Sequence, residues 1–419
     1  MHNRPGAIPY QTMRDMIRAG YVEGASEDHV QPSSLDLTLT DEVYRMRGSY
    51  LPRPGEPIRD IIRRGSLYRA SLEYPLECGG MYLIKLRESL ALPRTIHASV
   101  SNKSSSGRID LRTRTIGDGL ARFDSIPAGY TGTIWIEVTP KSFPVKIYAG
   151  DRVNQMRFFH GDARLNTLEH QFAYDQHHFL RDRAGMPVPA VNDITTNGVL
   201  MTIDLMGEAA GADGAIIGWR SHPGSRNVLD TRRFDHDPYD FFEPIRKPAK
   251  DELTLTPGSF YILNTKENIV VPPEFAAEMA NYDPTMGEFR SHFAGFFDPG
   301  FGWHEDETLR GAAAVLEVEA FGHESVLRDG QPICLMTYER MLSVPEKIYG
   351  ADVKSNYTAQ IGPRLAKWFR QPDATTRHPG DISAPSKPKP HVVTMSEPAL
   401  PEIEPTLQPW DDIERIDLG

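Results

Sequence analysis

The chain has 419 residues, and its 57 acidic against 46 basic side chains leave a formal charge of −11, which excludes electrostatic capture of a nucleic-acid duplex. Two cysteines, Cys78 and Cys334, are too few for a disulfide scaffold or a four-thiolate zinc site and suit a reducing, cytoplasmic setting. No apolar run reaches membrane-spanning or signal-peptide length, so neither is expected, and the 34 glycines and 34 prolines spread along the chain favour short strands joined by turns.

In chain order, Met13, Met16 and Ile17 fall at helical spacing and Gly20 offers a stop, predicting one short helix. Ser33-Ser34-Leu35-Asp36-Leu37 carries a single carboxylate among small and apolar residues. Lys103-Ser104-Ser105-Ser106-Gly107-Arg108 then places a lysine, three hydroxyls and an arginine within six residues, donors suited to phosphate oxygens. A solvated Ser-rich turn has the same composition. Thr133 to Val138 alternates as a half-buried strand and contains Glu137, and Gly150-Asp151-Arg152-Val153-Asn154-Gln155 runs from a turn into another strand.

The chain repeats itself. Tyr82 to Pro93, YLIKLRESLALP, lies without a gap over Tyr261 to Pro272, YILNTKENIVVP, at an offset of 179 residues. TIWIEV around Glu137 lies over AVLEVE around Glu317, and a glycine follows thirteen residues later in each, Gly150 and Gly330. Two copies of one mainly β domain are expected, over residues 1–185 and 190–345, each closing into a barrel or jelly roll with few short helices. In the second copy Phe297-Asp298-Pro299-Gly300-Phe301 reads as a tight turn with a carboxylate at its mouth. Glu317 lies in an otherwise apolar strand, Ala313 to Val318, where an unpaired carboxylate costs several kcal/mol; the alternative is that it faces solvent beside Glu319. A second helix is predicted within Ile361 to Phe369, starting near Pro363, inside a segment 346–378, and the Pro-rich acidic stretch 379–419 reads as a disordered tail.

This ordered set resembles the dCTP deaminase and dUTPase superfamily, and within it the double-length bacterial dCTP deaminases. Lys103 to Arg108 is similar to the family's Arg-Ser-Ser-Leu-Ala-Arg phosphate loop, Asp36 to its N-terminal Asp-containing strand, and Arg152 to Gln155 to its Arg-x-Ala-Gln strand. Phe297 to Phe301 look like its Ile-Asp-Pro-Gly-Trp turn, and Val315-Leu316-Glu317 like the strand that carries its glutamate base. Tyr349, Asn356-Tyr357 and Gln360 fall at the spacing of its C-terminal lid, with Asn356 where the family has lysine and Lys354 close by. The resemblance spans about residues 8 to 365.

It implies tandem dUTPase-like β domains with divided equipment. The first copy keeps the phosphate side but has Pro127 where the family's turn has aspartate; the second keeps the turn and lid but lacks the serine pair, the arginine and the glutamine. One composite site per chain is expected, loop from the first copy and hairpin from the second, with a complete first-copy site using Glu137 as the rival. In the implied hydrolysis of dCTP to dUTP and ammonia, Glu317 or Glu137 is the general base, while Ser104 and Arg108 orient the water and intermediate. Lys103, Ser105, Arg152 and Gln155 hold the triphosphate, and Asp298 accepts from the sugar 3′-hydroxyl. Tyr349 and Gln360 close the lid, and Mg²⁺ rides on the phosphates with Asp36 as an indirect partner. Zinc is not expected, since no H-x-E or P-C-x-x-C signature occurs and His304-Glu305 and His323-Glu324 do not continue as H-E-x-x-H. A dUTP pyrophosphatase, a bifunctional enzyme giving dUMP, and a nucleotide-binding protein without turnover are the alternatives. A homo-oligomer is implied, with a trimer of chains favoured.

Overall fold

Apolar residues two apart, punctuated by glycine and proline, produce short antiparallel strands, and the computed structural model is mainly β. It describes residues 4–189, 194–195, 198–207, 216–222, 224–248, 250–279, 287, 289–291, 295–304, 311–350, 352 and 362–371. Four α-helices occur among them: α1 (Tyr10–Arg18), α2 (Ile58–Gly65), α3 (Ser104–Gly107) and α4 (Thr167–His177). The predicted N-terminal helix is α1, with Met13 and Met16 buried and Gly20 at φ 78° beyond its end. Helix α4, outside the predicted set, starts in a capping box: Glu169 N donates to the Asn166 side chain and Asn166 N to the Glu169 carboxylate.

The sequence repeat is a repeat of topology. In the first copy one sheet runs Ser66–Ala70, Leu39–Met46, Met81–Ala91, Thr131–Pro140, Leu111–Gly117, with Val22–Glu23 beside Met81–Ala91. The second repeats this order as Phe242–Arg246, Ile216–Ser221, Phe260–Ile269, Ala312–Ala320, Phe289–Arg290, with Leu180–Arg181 beside Phe260–Ile269. Details recur too. Tyr82 and Tyr261 are both buried, and each hydroxyl accepts the backbone N–H five residues earlier, from Glu77 at 3.1 Å and Thr256 at 2.9 Å. Glu88 accepts from Thr38 N, and Glu267 from Thr202 N, both at 2.9 Å.

Two expectations change. The second copy begins before residue 190: Leu165, Ala173, Tyr174, Phe179 and Leu180 belong to its core, because α4 and the strand after it play the parts that α1 and Val22–Glu23 play in the first copy. The helix predicted within 361–369 is not formed by Gly362–Phe369. Leu365, Ala366, Trp368 and Phe369 have helical spacing and are buried, but Trp368 O accepts from His236 N at 3.1 Å and Arg370 N donates to His236 O at 3.0 Å. A neighbouring strand-like segment therefore takes the backbone groups that a helix would use internally. Residues 379–419 lie outside the described residues.

Leu229–Asp230 pairs in parallel with Val145–Lys146, and Phe241 and Phe242 pack edge-on against Phe143 at 4.9 and 5.7 Å. The first core thus continues into the second copy, and all the described residues belong to one compact unit.

Candidate functional site

The Ser-rich cluster is a buried helical turn. Asn102 ends the strand Ile96–Asn102 with its side-chain amide donating to Leu111 O at 2.7 Å and its oxygen accepting from Thr113 Oγ1. From there Gly107 N donates to Lys103 O at 2.9 Å and Arg108 N to Ser104 O at 3.1 Å, closing α3. Ser105, Ser106 and Arg108 are buried and Ser104 is half-buried, which excludes a solvated loop. Lys103 Nζ forms a salt bridge with Asp36 Oδ2, and Gln155, opposite Asp36 in the sheet, donates to Asn102 O at 3.4 Å. Arg152 lies exposed two residues before the strand that carries Gln155. Lys103 and Asp36 are thus an ion pair at the mouth of α3, with Gln155 bonded to the backbone beside them.

The hairpin of the second copy is bonded to the first. Phe301 N donates to Asp298 O at 3.1 Å, closing the expected turn, with Gly300 at φ 97°. Glycine is required there for a second reason: a Cβ would lie 2.9 Å from the backbone of Tyr349, whose N–H donates to Pro299 O at 2.8 Å. Tyr349 thus braces the turn, its ring 5.6 Å from that of Phe301. The Asp298 carboxylate accepts from Ser33 Oγ at 2.5 Å and lies 3.4 Å from Arg157 Nη2. Arg157 is fully buried and also donates to Ala277 O, Phe297 O and the Glu339 carboxylate at 2.9–3.1 Å. Closer to α3, Gly295 N donates to Ser101 Oγ at 3.0 Å. Gln360, with Lys354, Asn356 and Tyr357, lies outside the described residues.

The two glutamates hold one place in the repeat. Glu137 pairs with Leu83 and Glu317 with Ile262, the same register one copy apart. Both are buried, so Glu317 does not face solvent. Glu137 Oε2 accepts from Ser49 Oγ at 2.6 Å and Oε1 from Tyr50 N at 2.9 Å. Burial pushes its pKa up against those two bonds, with Asp124 adding to the rise. Two residues beyond Glu317, Glu319 forms an ion pair with Arg112 of the first copy.

A polar cavity of about 40 Å³ lies beside this pair, lined by Ser101, Asn102, Arg112, Thr113, Arg114, Asp124 and Arg290. It has room for water. Burial, with Arg112 and Arg114 next, lowers the pKa of Arg290 to about 10. Among the described residues no three His, Cys, Asp or Glu side chains are grouped to hold a metal ion. Asp36 has one oxygen taken by Lys103 and the other, Oδ1, buried without a hydrogen-bond partner, a single carboxylate that by itself makes no resident ion site.

Sequence reasoning missed Arg157, although it is a lone charge in the apolar strand Asn154–His160, the same signal that singles out Glu317. It also missed Arg112, Arg114, Asp124 and Arg290, whose meeting depends on the packing of two copies.

Residues 4–162 match the family model of the 2'-deoxycytidine 5'-triphosphate deaminase N-terminal domain, and residues 174–369 the model of its C-terminal domain. The chain is similar to the dUMP-forming dCTP deaminases of Methanoculleus marisnigri and Methanospirillum hungatei, 31% and 28% identical. Those matches cover 39% and 36% of this chain and 86% and 80% of the relatives, about one copy's length. It is also similar to the crystal structure of 2'-deoxycytidine 5'-triphosphate deaminase from Agrobacterium tumefaciens, with a TM-score of 0.72 and 38% identity over 82% of this chain and 99% of that one.

Proposed function

This chain belongs to the dCTP deaminase family, and from that premise we propose that it hydrolyses the 4-amino group of dCTP at a site shared between its two copies. The observation that carries the shared site is the direct bonding of the first copy to the hairpin of the second, Ser101 to Gly295 and both Ser33 and Arg157 to Asp298. Such bonds hold the two halves at a fixed separation, which is what orienting a nucleotide between them demands.

In this reading Lys103, Ser105, Arg152 and Gln155 bind the phosphates, and Asp298 accepts from the 3′-hydroxyl with its free lone pairs. A water adds to C4 as Glu317 takes its first proton and passes it to N3; the glutamate then takes the remaining proton of the C4 hydroxyl and passes it to the amine as that leaves, so that dCTP and water give dUTP and ammonia. Ser104 and Arg108 orient the water and the tetrahedral carbon. Tyr349, braced on the hairpin, and Gln360 close over the nucleotide. Mg²⁺ on the triphosphate would neutralise phosphate charge.

A second product is favoured by the names of the relatives, which are dUMP-forming. In that case a second water attacks the α-phosphorus and pyrophosphate leaves. Incubating the protein with dCTP and separating the nucleotides tests both: dUTP with ammonia supports deamination alone, dUMP with pyrophosphate supports the coupled reaction, and unchanged dCTP sinks the proposal.

A further inference from the structure

Residues 362–371 follow the whole second copy in sequence, yet they are strapped onto the first copy at α3. Arg108 Nη1 donates to Arg364 O at 2.9 Å. Four residues later the buried Trp368 donates from Nε1 to Thr231 O at 2.8 Å, and the ring of Phe369 lies 5.5 Å from those of Phe241 and Phe242. The strap is thus pinned at both ends, by an arginine of the candidate site and by the stretch that follows Leu229–Asp230. Between the pins Leu365 and Ala366 are buried, and Lys367 alone turns outward.

Lys367 is exposed between two bonded links to the first copy: Arg364 to Arg108 of the loop, and Trp368 to Thr231, whose Oγ1 donates to Asp151, the neighbour of Arg152. Lys367 Nζ lies 5.4 Å from the Trp368 ring, which restricts where the ammonium can go. Crowding by the protein around its stem lowers its pKa, and the charges of Lys103 and Arg152 lower it further, opposed by Asp36 and Asp151. The opposing carboxylates are already engaged: Asp36 by Lys103, and Asp151 by Thr231 Oγ1 at 2.7 Å and Tyr148 N at 3.0 Å. The strap therefore holds Lys367 on the side of the first copy that carries Lys103 and Arg152, whose neighbouring carboxylates are already engaged, an arrangement that a polyanion would relieve.

Resting on the reading that the Lys103–Arg108 loop holds the phosphates of the nucleotide, we propose that Lys367 is a further polyphosphate-binding residue, brought to the first copy by the strap 362–371. An ammonium in this place would supply a cation that Asn356 does not. It acts on the phosphate chain and not on the base, so its loss should fall on binding rather than on the chemical step.

The test uses the full chain with Lys367→Ala, Lys367→Arg and Lys103→Ala, following binding of inorganic triphosphate by calorimetry and KM for dCTP at one ionic strength. Lys367 is exposed, so its substitution leaves the fold intact, which an unchanged thermal midpoint would check. Lys367→Ala is expected to weaken triphosphate binding and raise KM about tenfold, the scale of one charge-assisted hydrogen bond, with Lys367→Arg recovering most of the loss. Wild-type affinity in Lys367→Ala together with weakened binding in Lys103→Ala would overturn the inference alone. Wild-type affinity in both variants would overturn the phosphate-loop reading beneath it as well.

Discussion

The two copies share a backbone and differ in chemistry, and the turn after the strand pair shows how. Tyr130 N donates to Pro127 O at 3.2 Å in the first copy and Phe301 N to Asp298 O at 3.1 Å in the second, with Gly129 and Gly300 both at positive φ. The geometry is common property, so proline and aspartate serve it equally well. Only Asp298 adds a carboxylate, and Ser33 and Arg157 of the other copy bind it. Glu137 and Glu317 repeat the lesson: one register position, but Glu137 is capped within its own copy by Ser49 and Tyr50, while the strand of Glu317 reaches across to Arg112 through Glu319. Duplication keeps the hydrogen-bond framework that folding requires and leaves side chains at the seam free to specialise.

The sharpest way to break this comparison is to neutralise each glutamate. Glu317→Gln is expected to lower the deamination rate by about 10²- to 10⁴-fold, the range of general-base help, and Glu137→Gln to have a much smaller effect. Deamination that survives Glu317→Gln but not Glu137→Gln would return the site to the first copy alone. Next in size, Arg157→Met leaves Asp298 and Glu339 buried without their cation. Denaturant unfolding should show a loss of about 3–5 kcal/mol, whereas a loss below about 1 kcal/mol would mean that the seam does not depend on this arginine.

Replacing Asp298 by alanine should reduce kcat/KM for dCTP by about 10- to 100-fold, the cost of a lost hydrogen bond to a charged group. Pro127→Ala in the matching turn should leave kcat/KM near wild type, and equal effects at the two turns would remove the distinction between them. The smallest expected effect is a pH dependence near α3. Burial raises the Asp110 pKa from 3.8 to about 7, against Arg112 and a 2.7 Å hydrogen bond from Ser142. The folded protein therefore keeps a proton that the unfolded chain releases. Its contribution to stability is full below about pH 4 and is lost as pH rises to about 7 and beyond. Thermal midpoints measured from pH 4 to 8 should fall less steeply in Asp110→Asn; an identical slope would show that the carboxyl is not protonated in the fold.

Much of this was legible from local pattern. Alternation disclosed the strand around Glu137, the Asp298-Pro299-Gly300 order disclosed its turn, and the offset between Tyr82 and Tyr261 disclosed the duplication, because each depends on residues close in sequence. A charge in an apolar strand marked Glu317, and the same rule applied to Asn154–His160 would have marked Arg157. The segment around Trp368 misled because its spacing suits a helix, while His236, 132 positions earlier in the chain, takes its backbone bonds.

By itself, then, the sequence determined a repeated β domain and its turns, since periodicity and turn chemistry are local, while the division of chemical groups between the copies followed only from the resemblance to the family. Only the tertiary structure decided that α4 opens the second copy, that Ser33 and Arg157 hold Asp298, and that the strap carrying Lys367 returns to α3. These depend on which buried charges and backbone groups find partners far along the chain, and burial makes such pairing obligatory without local spacing showing where the partner lies.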